Sequence, residues 1–196
     1  LGYLDLAQSG QYHSPEEYRG YVAAAYSRAI QLKKLTDELF RYSLVFGVQE
    51  LPIKKEPYEA SALLDQMLGE ELVLLEQKGF TLRRAVQPVS GSILVDVTYL
   101  KRVFDNLADN ICKYADPKKP VHIVVAQEAG SLTICEANTA LKDPGKVESN
   151  RIGLRICEKI MRQMGGTFAH QQTGDTFTVT LTLPTQNLAE AEEKTS

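Results

Sequence analysis

Several kinds of sequence signal are missing from this chain of 196 residues. No apolar run is long enough to cross a bilayer, and no signal-peptide pattern opens the chain. A strong charge bias is also missing. The net charge of -3 gives no global attraction to nucleic acid or an anionic membrane, so no nucleic-acid partner is expected. Cysteine is sparse. Cys112, Cys135 and Cys157 are far apart and form no CxxC pair. Each sits among apolar residues and reads as a buried free thiol, which points to a reduced, cytosolic setting. No internal repeat is seen. What remains is an ordinary globular composition, 43% hydrophobic and 24% charged, sufficient for one large domain or a small domain with an appendage.

Two regions follow one another. "LGYLDLA" reads as the end of a helix whose start is missing, so the sequence is expected to be a piece excised from a longer protein. In "SPEEY", Ser14 suits an N-cap, Pro15 the first turn, and Glu16 and Glu17 the positive end of the helix dipole. From there Tyr18, Val22, Ala25, Ala29, Leu32, Thr36, Leu39, Ser43 and Phe46 recur at spacings of four and three. A second stripe, Leu35, Leu39, Tyr42 and Phe46, widens the apolar face. One helix cannot bury both stripes, and a four-helix bundle made by two chains is expected.

After Gly47 and Pro52 the pattern changes to an α+β order. "PIKKEPYEA" reads as an extended edge segment, "SALLDQMLGEELVLLEQKG" as a helix and "FTLRRAVQP" as a strand. The helix "VTYLKRVFDNLADNICKYA" follows, then a hairpin over 121–138, a helix stopped by Gly165 and Gly166, and a closing hairpin ending at Pro184. The Glu- and Ala-rich tail from Thr185 is expected to fray.

On the helix around residues 96–115, Leu100, Val103, Phe104, Leu107 and Ile111 form the core stripe. Asn106, Asn110 and Lys113 share an adjacent face at i, i+4 and i+7. Amide oxygens are hard ligands suited to Mg²⁺, and a Lys one turn on suits phosphate. Taken alone, that spacing favours a helix with two ordinary surface Asn. Gly153 precedes another helix, where backbone N–H groups can meet a phosphate, although packing alone also places Gly there.

The order of these segments resembles a bacterial two-component sensor histidine kinase over residues 1 to about 184. "LGYLDLAQSGQYHSPEEYRGY" with "LKKLTDELFRYS" is similar to its dimerisation and histidine-phosphotransfer helices. "RVFDNLADNICKYA" resembles the asparagine box, with N-L-x-x-N-x-x-K-Y intact. "SNRIGLRICEKIMRQMGGTF" resembles the second glycine box and its helix, and "GDTFTVTLTLP" the closing strands. The resemblance implies a helical hairpin over 1–47, a Bergerat (GHKL) ATP-binding α/β sandwich over 48–184, and a tail over 185–196. It further implies ATP and Mg²⁺ as cofactors, a homodimer through the hairpin, and a response regulator receiver domain as partner. Asn110 would ligate Mg²⁺ and Asn106 would line the same phosphate end. Lys113 and Tyr114 would contact nucleotide. Asn138 takes the place of the acidic residue that reads the adenine amino group, and Thr176 that of a supporting Thr. Gly153 and Leu154 end the second glycine box, where Arg151 would contact a phosphate or fill the nucleotide's space. This portion would be cytoplasmic, with a parent anchored in the membrane through segments upstream.

Departures from that pattern are concentrated at the site. The phosphoacceptor His is expected before Leu1, since His13 falls in a turn and His122 and His170 in strand-like segments. "NTALKD" replaces D-x-G-x-G, which leaves Asn138 neutral and puts Ala140 where a Gly permits close backbone approach. Ser149 and Arg151 replace two glycines of the second box. "TALKDPGKVES" is short for a lid and has no aromatic residue. Two readings stand: a kinase that binds ATP·Mg²⁺, or a degenerate kinase that keeps the fold and acts as a dimeric binding module. A third, a serine kinase of the anti-sigma type, is disfavoured by the long helix of residues 15–46.

Overall fold

The computed structural model describes residues 2–10, 12–46, 50–128, 130–141 and 152–186, and for residues 34, 37, 38 and 40–46 the backbone alone. Arg151, the expected lid and the tail beyond residue 186 lie outside the described residues. The chain divides into two units, Leu1–Val48 and Gln49–Ser196.

The first unit is helical, with α1 over Gly2–Gln8 and α2 over Pro15–Phe46. Ser14 Oγ accepts from the Glu17 backbone N–H at 3.1 Å, so the expected N-cap forms. Tyr3 lies 6.2 Å from Tyr21, ring to ring, and holds α1 against α2. Val22, Tyr26, Leu32, Leu35 and Leu39 are exposed in the single chain. No described helix is long and apolar enough to cross a membrane.

The second unit runs β1 (Glu56–Glu59), α3 (Ala60–Gln77), β2 (Leu82–Val86), β3 (Ser92–Val95), α4 (Val97–Tyr114), β4 (Val121–Glu128), β5 (Ser131–Thr139), α5 (Ile152–Gln163), β6 (Thr167–Thr173) and β7 (Thr176–Gln186). Its seven strands form one mixed sheet, ordered β1-β3-β7-β5-β4-β2, with β6 also on β7. Only β2 and β4 run parallel. Every second residue of β5, Leu132, Ile134, Glu136 and Asn138, is buried. Together with Ile123 and Val125 of β4 and Val179 and Leu181 of β7, these residues meet the buried stripes of α3, α4 and α5. The expected α+β sandwich is therefore present.

Asp96 starts α4. Its carboxylate accepts from the N–H groups of Thr98 and Tyr99 at 3.0 and 3.2 Å. The α4 core stripe read from spacing is buried throughout, with Ala108 added. Behind α5, Gly166 passes so close to β7 that an added Cβ would lie 2.2 Å from the Thr182 carbonyl oxygen. That contact admits only glycine.

Two expectations change. β3 was not anticipated, and its Ser92 and Ile93 pair with Gln186 and Thr185, which extends β7 past the point where the tail was expected to begin. Of the three free cysteines only Cys157 is buried. Cys112 lies beside the α4 core stripe, and Cys135 is on the less buried alternate face of β5, so both are half-buried.

Candidate nucleotide site

The last turn of α4, the end of β5 and the start of β7 meet at one end of the sheet. Asp116 N–H donates to the Thr139 carbonyl at 2.8 Å and Leu141 N–H to that of Tyr114 at 2.7 Å. Ala115 bridges Ala140, and Ala140 N–H donates to the Asp175 carbonyl at 2.7 Å. Backbone bonds thus fix Tyr114 and Asn138 relative to each other. Asn138 is 7% exposed and stands opposite Phe177 of β7.

Asn106 and Asn110 are half-buried, beside the α4 core stripe rather than within it. Asn106 Nδ2 donates to the Arg102 carbonyl at 2.8 Å, which leaves Oδ1 turned toward α5. A Cβ added at Gly153 would lie 3.1 Å from that oxygen. The glycine therefore lets the first turn of α5, with Leu154 half-buried beside it, sit over the asparagine face of α4. Two segments far apart in sequence supply one wall of amide oxygen and helix-start backbone.

Two other expected site residues are exposed. Lys113 is exposed and its ammonium bonds the Asp109 carboxylate at 2.6 Å, one turn back on α4. Thr176 is exposed and pairs with Thr139, next to the Asn138–Phe177 pair. His13 lies in the turn before α2, His122 on β4 and His170 on β6, the last between the rings of Phe168 and Phe177 at 6.1 Å each. Asp109 and Phe177 were not singled out from sequence. The i, i+4 spacing of Asp109 and Lys113 carried the signal for the first; only strand register reveals the second.

The donor set suits a nucleotide with Mg²⁺. Neutral amide oxygens on a half-buried wall can complete the shell of a hard cation that keeps several waters. Among the described residues, no cluster of three or more His, Cys, Asp or Glu could hold a metal by itself.

Comparison with known proteins decides the class. Residues 95–187 match the family of "Histidine kinase-, DNA gyrase B-, and HSP90-like ATPase" domains. Together with the relatives below, that match supports the catalytic domain of a two-component sensor histidine kinase over these residues. It is 30% identical over 161 residues to sensor histidine kinase YrkQ of Bacillus subtilis (strain 168), covering 82% of this chain and 37% of that protein. The chain thus spans little more than a third of that relative. Among solved structures, it resembles full-length ShkA in complex with AMPPNP with a TM-score of 0.67 at 19% identity, covering 94% of this chain and 42% of that one. It also resembles histidine kinase ThkA in complex with the response regulator TrrA with a TM-score of 0.60 at 14% identity, covering 94% and 58%. At those identities the two likenesses establish fold alone.

Proposed function

We propose that this histidine kinase catalytic domain binds ATP·Mg²⁺ between α4, β5 and α5, and that its parent transfers the γ-phosphoryl group to a His outside these residues and on to a response regulator Asp. The observation that carries the reading is the seating of Gly153 on Asn106 Oδ1. It joins the two motifs that a phosphate-binding site needs. Asn110, and Asn106 beside it, would offer amide oxygens to the cation. The N–H groups of Gly153 and Leu154 would face phosphate, and the Asn138 amide oxygen would accept from the adenine amino group. Bound Mg²⁺ supplies charge neutralisation at the phosphates. The protein's own contribution is positioning in a water-poor wall. The parent is proposed to be anchored in the membrane upstream, with this portion in the cytoplasm and dimerised through α1 and α2.

The degenerate-module reading has its own support. Lys113 is engaged by Asp109, and Asn138 brings no charge to the adenine contact. Calorimetry with an ATP analogue and Mg²⁺, on the wild type and Asn110→Ala, separates the two. Binding in the micromolar range that weakens at least about tenfold in the variant supports the kinase, since loss of one metal ligand removes more than about 1.4 kcal/mol. No binding at millimolar nucleotide supports the module.

A further inference from the structure

Two carboxylic acids are buried together inside the catalytic domain. Glu71 of α3 is 4% exposed and Glu136 of β5 is 5% exposed. Among the described residues, both oxygens of Glu71 and Oε1 of Glu136 are the buried side-chain polar atoms without a hydrogen-bond partner. Glu71 borders a cavity of about 160 Å³ between α3 and α4, lined also by Glu70, Lys101, Phe104, Asp105 and Ala108. The charged and titratable groups around the pair are Glu70 on α3 and Lys101, Asp105 and Cys112 on α4. Lys101 is the cation among them. Its ammonium is already bonded to Glu70 and lies 3.5 Å from Asp105, so it is shared between two other carboxylates. Two ionised carboxylates cannot be kept side by side in such a setting without a large desolvation and repulsion cost.

We propose that Glu71 and Glu136 hold a proton in common, and that this proton is a condition for seating α3 on β5, so that the domain loosens as pH rises. Burial pushes Glu136 up to about 7 from 4.5. Burial first, and the neighbouring Glu136 second, hold Glu71 well above the usual carboxylate range. Both native values exceed those of the unfolded chain, so the native state binds more protons than the unfolded one. The pair's stabilisation is therefore fully present below the ordinary value of 4.5. It declines as pH rises through about 7 for Glu136, and further on for Glu71. The two acids titrate as a unit.

The test is thermal melting of the full chain between pH 5.5 and 8.5, for the wild type, E136Q and E71Q, together with carbon-13 NMR titration of the wild-type Glu carboxyl carbons. The wild type is expected to lose about 5 °C or more across that range, and E136Q at most half as much, with the curves drawing together at the acid end. NMR should show a carboxyl midpoint above pH 6. A slope unchanged in E136Q and E71Q overturns the proposal. So does a set of Glu carboxyls that all titrate below pH 5, which decides the matter even if a variant fails to fold.

Discussion

At Lys113 the ammonium has a choice of anion. It lies 2.6 Å from the Asp109 carboxylate, with both side chains about half exposed. A surface pair of this kind contributes little, and a phosphate brought to the neighbouring face would have to compete with it. Asp109→Asn frees the ammonium while keeping the shape of the side chain. ATP-analogue affinity is therefore expected to rise about two- to fivefold, the range that follows from an exposed ion pair of roughly 0.4–1 kcal/mol. Calorimetry in low salt measures it. Unchanged affinity would place Lys113 outside the nucleotide's reach. Asn106 differs in kind, because one half of its amide is already committed to the Arg102 carbonyl and only the oxygen faces Gly153.

Among the elements, α4 shows how much the sequence discloses. Its apolar spacing predicts every residue of the core stripe except Ala108, because a 3.6-residue period is a local property. The asparagine face beside it was legible for the same reason. β3 was not legible. It has four residues, and its partners, β1 and the far end of β7, are distant along the chain. Pairing with β3 carries β7 two residues past Pro184. Glu136 illustrates an intermediate case. Alternation with Ile134 and Asn138 sets it on the buried face, but only tertiary packing brings Glu71 to it. The start of α4 offers a check on its own terms. Asp96 caps two N–H groups of the helix and also accepts from the Lys54 N–H at 3.0 Å. Asp96→Ala is expected to cost about 1 kcal/mol, lowering the melting temperature by about 2–4 °C, with Asp96→Asn retaining most of it.

At the scale of the whole molecule, α2 presents an apolar face that a second chain can cover. Val22, Tyr26, Leu32, Leu35 and Leu39 are exposed in the single chain, more than one helix facing water ordinarily carries. Sedimentation at high protein concentration is expected to show dimers, and Leu32→Glu with Leu39→Glu to show monomers whose catalytic domain still melts cooperatively. A wild type that stays strictly monomeric would rule out the bundle for these residues.

β7 belongs to several parts of the molecule. Residues 176–182 are paired on both sides, with β5 and β6, while Thr185 and Gln186 continue to β3. Its first residue stands at the end of the sheet where α4 and β5 finish, and its last residues brace the opposite end. A substitution along it disturbs one neighbour. A one-residue insertion or deletion would shift three ladders together and turn Val179, Leu181 and Leu183 outward. Length variation in this domain should therefore be absorbed elsewhere, and the spacing from Thr176 to Gln186 inherited as a unit.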